Sequence, residues 1–307
     1  MKILITGGAG FIGSHLVEKL LVKNNEILII DNLMTGKKEN LSFEGNYELF
    51  IDDLGSEKSL DKITEFNPDV CFHLAAQASV VISVSNPSLD FDHNILQPIL
   101  LLKTLLKTDC KKFVFSSSGG TIFGEPVNVP TSEEDYAGEP QSPYGVAKKR
   151  LNELIQIITK DTNMSYSILN FSNVFGPRQD PHGEAGVISI FSNKFLSNER
   201  PIIYGDGNQT RDYVYVLDVV EAMILSSRSE DNLFLNIGTG VETSVNQLVE
   251  IMKDKFNSDI EPIHQDAREG ELLRSVLDNS KALATIGWKP VYDLNAGMEK
   301  VVDWLKA

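Results

Sequence analysis

Tyr144 and Lys148 stand four residues apart in "SPYGVAKKR". On a helix, positions i and i+4 share a face, so a phenol and an ammonium would be neighbours. A cation beside a phenol favours its phenolate, the form that takes a proton from a substrate hydroxyl. Ser142 suits an N-cap and Pro143 a first helical position. Val146, Leu151, Leu154, Ile155 and Ile158 follow at mostly helical spacing. The pattern predicts a helix near 143–161 with the pair in its opening turns, where the positive helix end also favours phenolate. Tyr-x-x-x-Lys arises often by chance, and alone the pair reads as an exposed tyrosine and a solvated lysine, so residues elsewhere must decide.

The second chemical signal is "ILITGGAGFIGSHLVEKL" at the N-terminus. Gly8, Gly10 and Gly13 fit G-x-G-x-x-G, and Gly7 adds a fourth glycine. Such a turn between a strand and a helix lets backbone approach a pyrophosphate. The amides of Phe11 and Ile12 would face the phosphates at the helix's positive end. Asp31 ends the next strand, followed by Asn32. A carboxylate there accepts from both ribose hydroxyls and repels a 2′-phosphate, which favours NAD over NADP. Asp53 and Leu54, in "IDDLGS", follow a third strand where adenine could rest. Leu74, Ala75 and Ala76, in "HLAAQ", end a fourth strand in small residues that let backbone pack on the cofactor. Asp52 and the acidic run 133–135 read as solvated faces.

The elements that must position these residues alternate. Strands are expected at 3–6, 27–31, 49–52, 70–74, 113–116 and 166–171, with helices near 12–23, 56–66, 94–108 and 143–161. This rhythm implies an α/β fold, a Rossmann doubly wound parallel sheet. After Asn173 glycine, proline and polar residues become frequent, and shorter helices are expected near 187–198, 217–227, 244–256, 280–286 and 294–306. Ser244 and Gln247 have capping-box spacing, and Gly287 is placed to end a helix. The expected division is a cofactor domain over 1–172, with part of 211–237 packing back on it, and a smaller mixed α/β substrate domain over 173–307.

The 307 residues carry a net charge of −15, which argues against a nucleic-acid or membrane-surface binder. The two cysteines, Cys71 and Cys110, lie in apolar contexts and are expected as free buried thiols, which fits a cytoplasmic protein. Cysteine and histidine show no metal-ligand spacing, so no metal is expected. The apolar run "NILQPILLLKTLL" is too short and polar to span a bilayer.

Taken together, "TGGAGFIG", "DNL", "HLAAQ", "FSSSGGTIFGE", "PQSPYGVAK", "NVFGPRQDP", "YGDGNQTRDYVYVLDV" and "REGELLRS" resemble the extended short-chain dehydrogenase/reductase family, in particular its nucleotide-sugar epimerases of the UDP-galactose 4-epimerase type. The resemblance runs from Met1 to about Leu305. It implies that Tyr144 is the catalytic acid/base and Lys148 its partner, which also binds the nicotinamide ribose. Asn94 matches an asparagine used near the cofactor. The catalytic serine would be Ser118, with Ser117 as the alternative. Asn173, Gln179, Val187, Arg211, Arg268, Glu271 and Ser275 match substrate-site positions, the two arginines for the diphosphate and Glu271 for the nucleotide ribose. The implied reaction removes the sugar 4-hydroxyl proton, oxidises C4 with bound NAD, and returns hydride to the other face of the keto sugar.

Dehydratase and decarboxylating relatives carry an acid beside the catalytic serine or threonine, where this chain has Gly119-Gly120-Thr121. Hydride return is therefore expected. The resemblance places Ser275 near the position that sizes the pocket around the sugar's 2-substituent, and its small side chain would leave room for an N-acetyl group, which points to UDP-N-acetylglucosamine and UDP-N-acetylgalactosamine. UDP-glucose/UDP-galactose, UDP-glucuronate, a nucleotide-sugar dehydratase and a non-catalytic NAD sensor are the alternatives. The resemblance also implies a homodimer through the helices near 94–108 and 143–161.

Overall fold

β1 (Lys2–Thr6), β2 (Glu26–Asp31), β3 (Tyr47–Ile51), β4 (Val70–His73), β5 (Lys112–Ser118) and β6 (Ser165–Phe171) run parallel in one sheet. A seventh strand, Leu233–Ile237, adds to β6, giving the order Leu233–Ile237, β6, β5, β4, β1, β2, β3. The computed structural model describes residues 1–181, 186–267 and 272–307. The inner strands read as continuous apolar runs because both faces are covered, as parallel sheets require. In β2, Ile27 and Ile29 face one layer while Leu28 and Ile30 face the other.

The first layer holds the helices Phe11–Leu21, Val216–Ser226 and Ser280–Ile286, with Leu16, Val17, Met223 and Ala282 in its core. The second holds Glu57–Phe66, Gln97–Leu105 and Pro143–Thr159, with Ile63, Leu102, Leu151 and Ile155. Strand order reverses between β1 and β4. That crevice at the strands' carboxyl ends is where an open α/β sheet binds ligand.

A third core, with Phe191, Leu248, Met252 and Met298, joins the helices Val187–Leu196, Val245–Phe256 and Leu294–Lys306. Around it run short pairings: Asn173–Phe175 with Tyr213–Tyr215, and Ile202–Tyr204 with Ile263–Gln265. Thr210–Arg211 lies between Thr243–Ser244 and Arg274–Ser275. Ser244 and Gln247 form the capping box, and Gly287 ends its helix at φ 67°. Cys71 and Cys110 are free and buried. Among the described residues, no helix is long and apolar enough to cross a membrane.

Two expectations about local structure change. The helix expected near 94–108 begins earlier, as Pro87–Phe91 followed by a π-helical turn Asp92–Leu96, and Val80–Ser85 precedes it. Asn86 caps the second segment by accepting from the Leu89 amide at 3.2 Å. Segments this short carry too little periodicity to be seen in sequence. Glu133 is not on a solvated face: its carboxylate accepts from the Asn236 amide at 2.7 Å, and burial pushes its pKa up.

Candidate active site

The glycine turn has separate steric reasons for its residues. Gly7 sits at φ 71°, and a Cβ there would lie 2.7 Å from the Ala75 nitrogen. A Cβ on Gly13 would lie 2.1 Å from the Gly7 carbonyl oxygen, so only glycine lets the helix begin against the strand. No side chain caps that helix at Gly10, which leaves its positive end to the cavity that Gly7, Gly10, Phe11, Ile12 and Gly13 line.

Asp31 lines the same cavity and is buried. Its Oδ2 accepts from the Ala9 amide and its Oδ1 from the Leu33 amide, both at 2.9 Å. Burial pushes its pKa up while those amides pull it down. The carboxylate thus ties the glycine turn to the end of β2 and faces the cavity where a ribose would lie. Asn32, Leu54, Leu74, Ala75 and Ala76 also form the wall. Asp53 is exposed and accepts from the Asn32 amide at 2.7 Å. The wall at that point is Asp52, which the sequence reading left in solvent. Asp52 accepts from the Ser56 hydroxyl at 2.9 Å and the Asp53 amide at 2.8 Å, closing the turn after β3. These residues fit a dinucleotide: a phosphate turn, a ribose carboxylate and an apolar wall along one crevice.

Tyr144 and Lys148 open onto this cavity and are buried, at 8% and 3% exposure, so the solvated reading does not hold. The Lys148 ammonium donates to the Ser116 carbonyl at 3.0 Å and lies 4.7 Å from the Phe115 ring centre and 5.8 Å from that of Tyr144. Ser142 caps the helix by accepting from the Gly145 amide at 3.1 Å. A Cβ on Gly145 would lie 2.8 Å from the Thr121 carbonyl oxygen, so this glycine lets the helix dock on the Gly119–Ile122 turn. Ser116, Ser117 and Ser118 all border the cavity. Ser117 is buried with no hydrogen-bond partner for its hydroxyl among the described residues, and the Ser116 hydroxyl donates to the His73 carbonyl at 3.1 Å. Asn94 lies behind the wall, donating to the Gln77 carbonyl at 2.8 Å and to Asp90 at 2.9 Å.

Of the residues expected on the sugar side, Asn173 and Ser275 lie beside Gly120. A Cβ there would lie 3.8 Å from both Asn173 Oδ1 and Ser275 Oγ. Ser275 pairs in register with Arg211, whose guanidinium donates to the Thr210 carbonyl at 2.8 Å. The Gln179 amide donates to the Val174 carbonyl at 3.1 Å, beside Gly186 at the start of the Val187–Leu196 helix. Arg268 and Glu271 lie outside the described residues.

Residues 3–238 match the NAD dependent epimerase/dehydratase family. The chain belongs to that family. It is 47% identical to a putative UDP-glucose 4-epimerase of Methanocaldococcus jannaschii, over 99% of this chain and 98% of that one. It is similar to the crystal structure of UDP-glucose 4-epimerase with UDP-glucose from Thermotoga maritima, at 42% identity and a TM-score of 0.96, covering 100% and 99% of the two chains. It is also similar to the UDP-N-acetylglucosamine 4-epimerase of Methanobrevibacter ruminantium in complex with UDP-N-acetylmuramic acid, at 36% identity and a TM-score of 0.93, covering 99% and 98%.

The cofactor of this family member is NAD. One residue that organises the site escaped the sequence reading. Asp212, fully buried, accepts from the Thr239 amide and hydroxyl, the Gly240 amide and the Leu277 amide. It locks Arg211 and the strand bearing Ser275 to the main sheet's far end. Its only signal was its place after Arg211 in "TRDYV".

Proposed function

We propose that this protein is an NAD-dependent UDP-sugar 4-epimerase, an isomerase, whose pocket admits N-acetylated sugars. The observation that carries the reading is the buried Tyr144–Lys148 pair on the cavity that the glycine turn and Asp31 also line. Tyr144 takes the proton from the sugar 4-hydroxyl, and Lys148 beside it stabilises the phenolate. Ser118 holds the same oxygen. Strand alternation sets it with Ser116 rather than with the interior Ser117, and it is half-buried at the cavity edge. Bound NAD supplies the hydride acceptor and donor for C4. Gly119 and Gly120 bring no acid to eliminate water, so the sugar leaves with C4 inverted and nothing lost. Asn173 and Arg211 hold the diphosphate, Arg211 through a guanidinium fork suited to phosphate oxygens.

The reading of the substituent at C2 is supported by Gly120 and Ser275, two small residues side by side. UDP-N-acetylglucosamine and UDP-N-acetylgalactosamine are therefore the proposed pair. UDP-glucose and UDP-galactose are a second pair, favoured by the relatives of 47% and 42% identity that carry that name. Purification without added cofactor, followed by product analysis on both pairs, tests the reading. Interconversion of the N-acetylated pair is expected, and turnover confined to UDP-glucose and UDP-galactose overturns the preference.

We also propose a cytoplasmic homodimer. Leu96, Leu100 and Ile157, on the helices near 94–108 and 143–161, are 56%, 40% and 67% exposed. A monomer mass in sedimentation at micromolar concentration rejects this pairing.

A further inference from the structure

Asp90, in the helix Pro87–Phe91, has no solvent exposure at all. Its Oδ1 accepts from the Gln77 side-chain amide at 2.7 Å and from Asn94 at 2.9 Å. Its Oδ2 has no hydrogen-bond partner among the described residues. A buried carboxylate is kept only where charge or hydrogen bonds compensate it. The helix Pro87–Phe91 packs against Pro143–Thr159, which carries Tyr144 and Lys148. Burial pushes the Asp90 pKa up, while the Gln77 and Asn94 hydrogen bonds and the charge of Lys148, on the helix across that contact, draw it down, as does the neighbouring His93. His73, on β4 beside Lys148, supplies no charge, because burial lowers its pKa to about 3.

We propose that Asp90 is a positioning residue for the reaction: the buried negative charge on the helix packed against that of Lys148, whose ammonium donates to the Ser116 carbonyl. The proposal rests on reading Tyr144 and Lys148 as the acid/base pair. Asp90 also braces the cofactor wall, since Gln77 lines the cavity while bonding Asp90. Its negative charge sets how strongly Lys148 favours the Tyr144 phenolate, so it tunes the pH at which the pair works.

The charge and the brace separate in one isosteric variant. Asp90→Asn keeps an oxygen for Gln77 and Asn94 and removes only the charge. Removing a negative charge makes nearby groups lose protons more easily. Both limbs of the kcat against pH profile should therefore move to lower pH, by about one pH unit, with NAD content unchanged. A brace without electrostatic role lowers the profile without moving it. A folded Asp90→Asn enzyme with limbs at wild-type pH overturns the proposal. Lys148→Met gives a second readout that needs no Asp90 variant. It removes a cation that stabilises the Asp90 carboxylate, so its loss of melting temperature should be largest at neutral pH and shrink as acid protonates Asp90. A loss that stays constant with pH overturns the proposal too. Failure of the acid/base reading itself would show separately, as near-normal turnover in Tyr144→Phe.

Discussion

The cofactor cavity takes its wall from the carboxyl ends of neighbouring strands: Gly7 after β1, Asp31 in β2, Ala75 after β4 and Ser116 in β5. The sugar side draws Gly120, Asn173, Arg211 and Ser275 from four separate segments, joined by two- and three-residue strands. The first region is held by a sheet covered on both faces. The second is held by local pairings and by one buried carboxylate, Asp212. Under the proposed function, chemistry common to any sugar sits on the rigid region and the choice of sugar on the region assembled from loops.

If that division holds, Tyr144→Phe should have the largest effect and the least selectivity. It should lower kcat by roughly 10²–10⁴-fold for every UDP-sugar tried, as steady-state assays on both pairs would show. A loss confined to one pair would break the division. Gly13→Ala comes next. With 2.1 Å between the new Cβ and the Gly7 oxygen, about 3 kcal/mol of stability should be lost, with NAD missing from the purified protein. Denaturant unfolding and cofactor absorbance measure both. Ser275→Tyr should act on the other region alone. Turnover of the N-acetylated pair should fall roughly tenfold or more, while UDP-glucose keeps its rate, and full N-acetyl activity would remove Ser275 from the pocket.

The smallest expected effect tests the seam between the regions. His15, on the glycine-turn helix, hydrogen-bonds the Pro177 carbonyl at 2.9 Å, while Arg178 pairs with Glu18 at 2.6 Å. Burial lowers the His15 pKa to about 4. A histidine with a depressed folded pKa contributes fully above its unfolded value near 6.5 and loses that contribution as pH falls through about 4. Melting temperature should decline from pH 6.5 downward. The slope should be shallower in His15→Gln, though not flat, because His73 is shifted the same way. An unchanged slope in that variant would separate His15 from the seam.

The two regions also differ in how far the sequence reveals them. Glycine spacing, the strand-end Asp31 and the i, i+4 pair are local patterns, and a local pattern is enough where backbone geometry makes the site. The six strands of the first half and the caps at Ser142, Ser244 and Gly287 were legible for the same reason. Asp52, Glu133, Asp90 and Asp212 were not. Each is an acidic residue that sequence places in water by default, and Glu133 and Asp212 acquire their roles from a partner far along the chain. For Glu133 that partner is Asn236, and for Asp212 it is Thr239 and Leu277.

The sequence by itself determined the doubly wound sheet, the glycine turn, the fit to NAD and the Tyr144–Lys148 pair proposed to work beside it. These follow from periodicity and sterics over a few consecutive residues. Tertiary structure alone decided that Tyr144 and Lys148 are buried, that a fully buried carboxylate sits on the helix packed against theirs, and that Gly120 and Ser275 lie side by side. Burial and counter-charge are properties of what packs against a residue, and in this fold the packing partners come from other strands, other helices and the far half of the chain.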